Sequence, residues 1–526
     1  MSSDEQTFDL IVIGSGIGGL TVASLMSQMK HKRVLVLERH FKLGGFTHSF
    51  TRPKKRLWDV GLHYVGDMAT GTMGRQLFDM ITQRNVQWNK MHSPFEKFVY
   101  PDFTFDVPDD ENLFQQALIE RFPHERAAIG RYFKDVVRVA NWYGTNILMQ
   151  SAPAFIRLPA QLAKLRARDI ALITTAEYLN RNFKDQKLKA VVASQWGDYG
   201  LPPAESAFAI HALIAAHYFK GGYYPTGGAE TISESIVPIV ESNGGQCLVN
   251  HTVTEIIVRD GKSTGVKVAI KKGQELVEKE FFAPIIVSDA GAYTTFNRLL
   301  PENVQLPFRN QLEQVAGGHG VVTVYLGLKE NPSKLGFHGE NHWIYSGYDH
   351  DEMYQHRNEI LEGKPNYCYL SFPSQKDPQA VSHTAEIITA LDYATVENWK
   401  NHPWLKRGAD YQALKDKLAE TLINFVDERY SGFKDLVDYQ EVSTPITTET
   451  FTGHLCGGIY GIPATPERFR LPWLKVTTPV KNLYLTGTDV AALGILGALM
   501  GGVATSAHLL GSSGVMQILS ASKKVS

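Results

Sequence analysis

The stretch FDLIVIGSGIGGLTVASLMSQMKHKRVLVLER, residues 8–39, limits the folds open to this chain more than any other. Leu10 to Ile13 form a short branched apolar run ended by glycine, the pattern of a buried strand. Gly14-Ser-Gly16-Ile-Gly18-Gly19 follows. Leu20, Ala23, Leu25 and Met26 then recur at helical spacing, which predicts a helix from Leu20 to Lys30. Val34 to Leu37 reads as a second strand, closed by Glu38. A lone GxGxxG says little; strand, glycine loop, helix, strand and terminal acid in this order predict a Rossmann-type dinucleotide-binding unit. Gly14 permits the tight turn, Gly16 lets the backbone approach a pyrophosphate, and Gly19 lets helix and strand close up. The helix N-terminus offers free N–H groups and a partial positive charge to phosphates. Glu38 can hydrogen-bond ribose hydroxyls, and its charge disfavours a 2′-phosphate, so NADP is not expected in this loop. Gly18 and Arg39 complete the contacts expected here.

The next residues, LERHFKLGGFTHSF, set Gly44-Gly45 shortly after Glu38. This resembles the extended motif of FAD-dependent oxidoreductases related to amine oxidases and phytoene desaturases. The resemblance implies FAD, with the paired glycines passing close to it. No second strand–GxGxxG–helix unit follows; Gly317-Gly318-His319-Gly320 lacks the spacing and setting. A dedicated NAD(P)H domain is therefore not expected, and NAD(P)H is one candidate electron donor.

Near the other end, VKNLYLTGTDVAALGILGALMGG carries Gly497 and Gly501 at the small-xxx-small spacing of packed membrane helices. A membrane span needs about 20 continuous apolar residues. Asp489, Gly487 and Gly494 interrupt its start. The favoured reading is a strand from Asn482 to Thr486, a turn, and a buried helix from about Gly497 that closes the cofactor domain. The flavoprotein resemblance implies that Asp489 approaches the flavin ribityl chain and phosphates, and that Gly487 and Gly497 allow close backbone contact.

Three further stretches agree: WDVGLHYVGD (58–67), GDYGLPPAESAFAIHALIAAHYFKGGYYPTGGAETI (197–232) and FPSQKDP (372–378). With both glycine-rich ends, they resemble the retinol saturase (all-trans-retinol 13,14-reductase) family, allied to carotenoid isomerases and phytoene desaturases. GGQCLVNHTVTEIIVRDGKSTGVKV reads as three strands with a turn at Asp260-Gly261. The resemblance sets Val253 where the superfamily clamps adenine. Ile285 to Ser288 reads as a buried strand returning the chain to the cofactor domain, with Asp289 at its end as a further cofactor contact.

The expected fold class is therefore α/β. A discontinuous Rossmann-like FAD-binding domain of the amine-oxidase (GR2) type comprises 1–90, 225–300 and 475–526. An α+β substrate domain, with a mixed sheet and a helical insert near 136–179, comprises 91–224 and 301–474. A chain of 526 residues is long enough for two domains. The insert mixes Ile147, Phe155, Ile156 and Leu158 with Arg138, Arg157, Lys164 and Arg168, a surface that could dip into one membrane leaflet or form an ordinary basic helix face. The acidic, polar N-terminus does not resemble a signal peptide. The expected location is cytoplasmic, with peripheral membrane contact as the alternative. A net charge of −1 gives no field that would recruit nucleic acid. Cys247, Cys368 and Cys456 show no metal-ligand spacing.

The resemblance implies an apolar polyene or isoprenoid substrate. Reducing a carbon–carbon double bond takes a hydride from the cofactor and a proton from a held donor. Among His63, Tyr64, His211, His217, Tyr218, Tyr223 and Tyr460, the residues flanked by glycines are favoured as donors: Tyr223, His63 and Tyr460. Reduction, desaturation and cis–trans isomerisation stay open, as does a non-catalytic flavin- and lipid-binding protein.

Overall fold

Leu10–Ile13 is the central strand of a five-stranded parallel sheet in the order Leu483–Leu485, Ile286–Ser288, Leu10–Ile13, Val34–Leu37, Gln246–Leu248. A computed structural model describes residues 8–149, 165–272 and 275–525. Leu10, Ile11 and Val12 are fully buried. Strands covered on both faces read as continuous apolar runs, which is why these segments are legible in the sequence. The first helix, Ile17–Lys30, starts three residues before the apolar periodicity does, because Gly18 and Gly19 carry no hydrophobic signal.

The glycine-rich C-terminal segment forms a helix, Gly494–Leu510, laid against this first helix. A Cβ on Gly502 would collide with the Thr21 side chain and the Gly18 carbonyl; one on Gly501 would collide with the Gly487 backbone. The small-residue spacing therefore serves close packing inside the protein. No helix among the described residues is long and apolar enough to cross a membrane. The helix begins at Gly494, not near Gly497; the bare face of Gly497 lies on the Ala492 backbone, which a Cβ would strike.

His251–Arg259, Lys262–Lys272 and Glu275–Phe282 make an antiparallel three-stranded sheet. Its first turn has Asp260 and Gly261 both at positive φ (49° and 71°), as a two-residue hairpin of right-twisted strands requires.

A second, seven-stranded sheet runs in the order Val437–Ser443, Val321–Leu328, His383–Ala390, Tyr367–Ser371, Asn341–Tyr345, Glu96–Val99, Thr104–Val107. It is mixed: Asn341–Tyr345 and Glu96–Val99 pair in parallel, the other neighbours antiparallel. Alternation along its strands separates two environments. Val322, Val324, Leu326, Cys368 and Leu370 face a core shared with Leu418, Leu422 and Val426 of the helix Ala409–Asp427. Thr323, Tyr325, Tyr367 and Tyr369, on the opposite face, line a large cavity. The architecture is thus α/β, with a Rossmann-like sheet beside a mixed sheet of α+β character.

The hairpin Ser49–Arg52/Arg56–Asp59 ties the two sheets together: Trp58 is fully buried and its Nε1 donates to the Leu326 carbonyl at 3.2 Å. The expected insert begins on the helix Arg126–Leu148, which buries Ile129, Tyr132, Phe133, Val136, Val139 and Ile147 as an ordinary core face. Arg138 pairs with Asp135 at 2.6 Å, and Arg168 is exposed. Residues 150–164, with Phe155, Ile156, Arg157, Leu158 and Lys164, lie outside the described residues.

Gly502→Val is expected to lower stability by about 1–3 kcal/mol through overpacking. Gly144→Ala has nothing within 4 Å of its new Cβ and sits inside a helix, so it should gain about 0.5–1 kcal/mol. Thermal unfolding of both variants checks this.

Candidate active site

The cavity holds about 380 Å³ and extends from the first glycine loop to the aromatic face of the seven-stranded sheet. At the loop, Gly14 turns the chain at φ 92° and donates its N–H to the Leu37 carbonyl. A Cβ on Gly19 would sit 2.5 Å from the Gly14 carbonyl and 2.9 Å from Val12, so helix and strand close up only over glycine. A Cβ on Gly18 would strike the Gly487 backbone. Gly44, at φ 107°, donates to the Ser15 carbonyl at 3.1 Å, and a Cβ on Gly45 would come to 3.0 Å from Gly16 Cα. The two glycine loops thus stack on one another, and Gly14, Gly16, Gly18, Gly44 and Gly45 all line the cavity.

Glu38 is buried at the end of its strand. Its Oε2 accepts from Ser15 N–H (2.9 Å) and O–H (2.7 Å), and its Oε1 accepts from His40 N–H (2.7 Å). A carboxylate offers about four acceptor sites. One remains for a ribose hydroxyl. Arg39 and Val253 line the same end of the cavity.

Asp289 alters the expected picture of the helix N-terminus. Its carboxyl is held by the backbone N–H groups of Gly16 and Gly19, where a pyrophosphate was expected. Burial pushes it up to about 7, with repulsion from Glu38 and Asp489 adding to the shift. Asp489 is buried and occupied: Oδ2 accepts from Ala292 N–H at 2.7 Å, Oδ1 from Ile462 N–H at 2.9 Å, and Arg468 lies 3.7 Å away. It fastens the segments around 292 and 462 to the last strand while still lining the cavity. Gly487 packs against Asp289 and Gly18, and neither it nor Gly497 is on the cavity wall.

The proton-donor candidates separate. His63 lines the cavity, with Nδ1 2.8 Å from Oε2 of the fully buried Glu386. Tyr460 lines it too, its hydroxyl donating to the Gly197 carbonyl at 3.3 Å. Burial raises the Tyr460 phenol far above its ordinary value, which makes it a poor acid. Tyr223 is elsewhere. It sits in a short strand bridged to Val65 through two 2.8 Å backbone bonds and does not line the cavity. The neighbouring Tyr224 hydroxyl and Ala229 N–H are both held by buried Asp59, so this stretch knits the fold together. His211 is taken up by Tyr132 and Tyr199, His217 by Gly66 N–H, and Tyr218 stacks on Tyr64 at 4.4 Å.

Sequence reasoning missed the opposite wall: Trp196, Asp198, Trp343, Tyr367 and Tyr369. The alternation in Asn366-Tyr-Cys-Tyr-Leu370 is the signal that could have found its tyrosines. Behind the wall, Lys376 of the FPSQKDP stretch is fully enclosed. Its Nζ donates to the His63 carbonyl (2.8 Å), to Ser371 Oγ (2.7 Å) and to Asn341, and burial lowers it to about 7.

The residues fit a flavin or other nucleotide cofactor. Bare glycine backbone forms the cradle, an acid with a spare acceptor stands at the ribose end, and the buried Thr486 hydroxyl on the wall has no partner among the described residues. Fold and site define the class: an oxidoreductase on the amine-oxidase-like flavoprotein fold. A family model described as an NAD(P)-binding Rossmann-like domain matches residues 12–82. An oxidoreductase from Methanosarcina mazei superposes with TM-score 0.62 at 15% identity, covering 94% of this chain and 98% of the other. Putrescine oxidase superposes with TM-score 0.61 at 14% identity, covering 96% and 99%. All-trans-retinol 13,14-reductases of Danio rerio and Homo sapiens are each 32% identical, covering 99% and 96% of this chain and 89% and 86% of theirs. Prolycopene isomerase 1 of an Oncidium hybrid is 25% identical over 97% of this chain and 85% of its own. The chain belongs to the all-trans-retinol 13,14-reductase family.

The raised Asp289 carboxyl has a consequence for stability. An unfolded aspartate titrates near 3.9. The folded protein keeps this proton over a range where the unfolded chain has lost it, so the group's contribution falls away as pH rises from about 4 to 7. Asp289→Asn should therefore raise Tm over the unsubstituted protein at pH 8, with the gap closing toward pH 4. Thermal unfolding of the cofactor-free protein across that range measures it.

Proposed function

We propose that this protein is an FAD-dependent reductase that saturates one carbon–carbon double bond of an apolar polyene of the retinoid type. The observation that carries this reading is the continuity of one cavity from the glycine cradle to an aromatic wall with few charges. Trp343 and Tyr369 lie 4.6 Å apart there, and Trp196 and Tyr367 5.0 Å apart. Such a wall suits a flat conjugated chain, because rings give large apolar contact at defined geometry. The names of the full-length relatives support the same substrate class.

In this reading Gly14, Gly16, Gly18, Gly44 and Gly45 receive the pyrophosphate, Glu38 and Arg39 the adenosine ribose, and Val253 the adenine. Thr486, Asp489 and the Gly494 end of the helix Gly494–Leu510 receive the flavin portion. The bound flavin supplies a hydride equivalent to the double bond. The chain's own residues hold the polyene, exclude water and keep a proton in reach. His63, anchored beside Glu386, stands at the junction of cradle and aromatic wall.

The division into a nucleotide-binding part (1–90, 225–300, 475–526) and a substrate part (91–224, 301–474) belongs to this reading. All five strands of the parallel sheet come from the first set of segments and all seven of the mixed sheet from the second. The Ser49–Asp59 hairpin bridges the two.

The test is anaerobic. The purified flavoprotein is reduced with dithionite, mixed with all-trans-retinol, and followed by flavin absorbance and chromatography. Flavin reoxidation with loss of one conjugated double bond is expected. A new geometric isomer with the flavin still reduced would replace reduction by isomerisation, the activity named in the Oncidium relative; no change in either would reject retinol. In the same assay Tyr223→Phe should keep its rate within about twofold, since its hydroxyl lies off the cavity wall.

A further inference from the structure

We propose that the Asp198 carboxyl, backed by Tyr64 and Glu96, is the proton donor of this site. Asp198 lines the cavity within the sequence Trp196-Gly-Asp198-Tyr-Gly200 and is half-buried. Tyr64 donates its hydroxyl to Asp198 Oδ2 at 2.6 Å. Glu96, fully buried on Glu96–Val99, the strand next to the edge of the mixed sheet, is their neighbour. Both Glu96 oxygens are acceptors: Oε2 takes Gln195 Nε2–H at 2.6 Å, and Oε1 takes Trp343 Nε1–H at 3.1 Å. Neighbouring carboxyls in a region of low dielectric do not both ionise readily, because like charges there repel strongly. Burial pushes both up, and the charge of Asp198 adds to the shift on Glu96. Glu96 receives a donor on each oxygen, whereas no described side chain engages Asp198 Oδ1, and of the two carboxyls only Asp198 lines the cavity, so Asp198 is the one placed to hand a proton to a substrate.

The other groups facing Asp198 leave it this role. His63 and Lys376 are nearby, and both pull its affinity for the proton down. Lys376 spends its three N–H bonds on His63, Ser371 and Asn341. The phenols of Tyr218, Tyr369 and Tyr460 all titrate far above neutrality. The Tyr369 hydroxyl is buried, lines the same cavity and has no partner among the described residues. A carboxyl poised near neutrality is matched to general-acid work as these phenols are not.

The proposal rests on the reductase reading. One carbon of the double bond accepts hydride from the reduced flavin. The other takes the proton from Asp198: the carboxyl O–H bond and the π bond break, and two C–H bonds form. The flavin loses two electrons and the polyene gains them. Asp198 is left as a carboxylate and regains a proton from Glu96 or solvent past the Tyr64 hydroxyl.

Asp198→Asn keeps the shape and removes the acid. In the anaerobic assay it should slow flavin reoxidation by all-trans-retinol about 100-fold or more, the range for losing a general acid. Retinol binding, read from tryptophan fluorescence, should stay within about threefold. Tyr64→Phe removes the bond that favours the carboxylate, so the alkaline limb of the rate profile should move to higher pH. Infrared titration of the unliganded protein gives a readout independent of turnover: the difference spectrum between the unsubstituted protein and Asp198→Asn, which cancels the Asp289 band common to both, should show a protonated carboxyl band at pH 6 that is lost on raising the pH. A rate in Asp198→Asn within threefold of the unsubstituted enzyme, or a difference spectrum with no carboxyl band, would overturn the proposal. If the unsubstituted enzyme itself leaves retinol unchanged, the reductase reading fails, and the infrared titration still decides where the proton resides.

Discussion

The contact between the first helix and the helix Gly494–Leu510 is the constraint on which the rest of the molecule depends. Gly18 meets Gly487, Gly501 meets the Gly487 carbonyl, and Gly502 meets Thr21 and Gly18, all at distances no Cβ tolerates. This brings the last strand, Leu483–Leu485, to the edge of the parallel sheet. Both ends of the chain then build one cradle. The loops carrying Asp289 and Asp489 fall beside the first glycine loop only because that contact is tight. Dispersion is short-ranged, so a gap of even half an ångström between such surfaces loses much of its energy.

The mixed sheet does a second job by its pleat. One face carries the branched residues that pack on Ala409–Asp427, and the other carries the tyrosines and threonine of the cavity wall. A single strand thereby serves stability at Cys368 and Leu370 and recognition at Tyr367 and Tyr369. Glu96, Glu386 and Lys376 are buried behind that wall, and Asp198 lies on it. In a region of low dielectric they interact far more strongly than surface pairs. Protonation states there are set by neighbours, and the near-neutral total charge of the chain gives no hint of this.

Much of the cofactor half was legible in the sequence. The strand–loop–helix order, Glu38 at the strand end and the Asp260-Gly261 turn rest on local rules, namely burial of short apolar runs and glycine where φ is positive or backbones touch, while the paired glycines at 44 and 45 and Val253 were singled out by the family resemblance. The helix start at Gly494 was less legible, because glycine carries no periodic signal. Asp289 was found as a residue, but not as the group that occupies the helix N-terminus. That depends on two strands lying side by side in the parallel sheet.

The aromatic half was much less legible. Tyr223 and Tyr224 are adjacent, and alternation sends one to a backbone bridge and the other to Asp59; nothing local says which face meets a cavity. Asp198, Tyr369 and Lys376 are separated by long stretches of chain and become neighbours only through sheet pairing and the fold of Ser194–Asp198 against it. The sequence by itself determined the strand–glycine loop–helix–strand unit and its closing acid, because those requirements act over a few neighbouring positions. Only the tertiary structure decided which polar side chains share a low-dielectric wall with that cradle, because a carboxyl's proton affinity depends on groups distant in sequence and close in space.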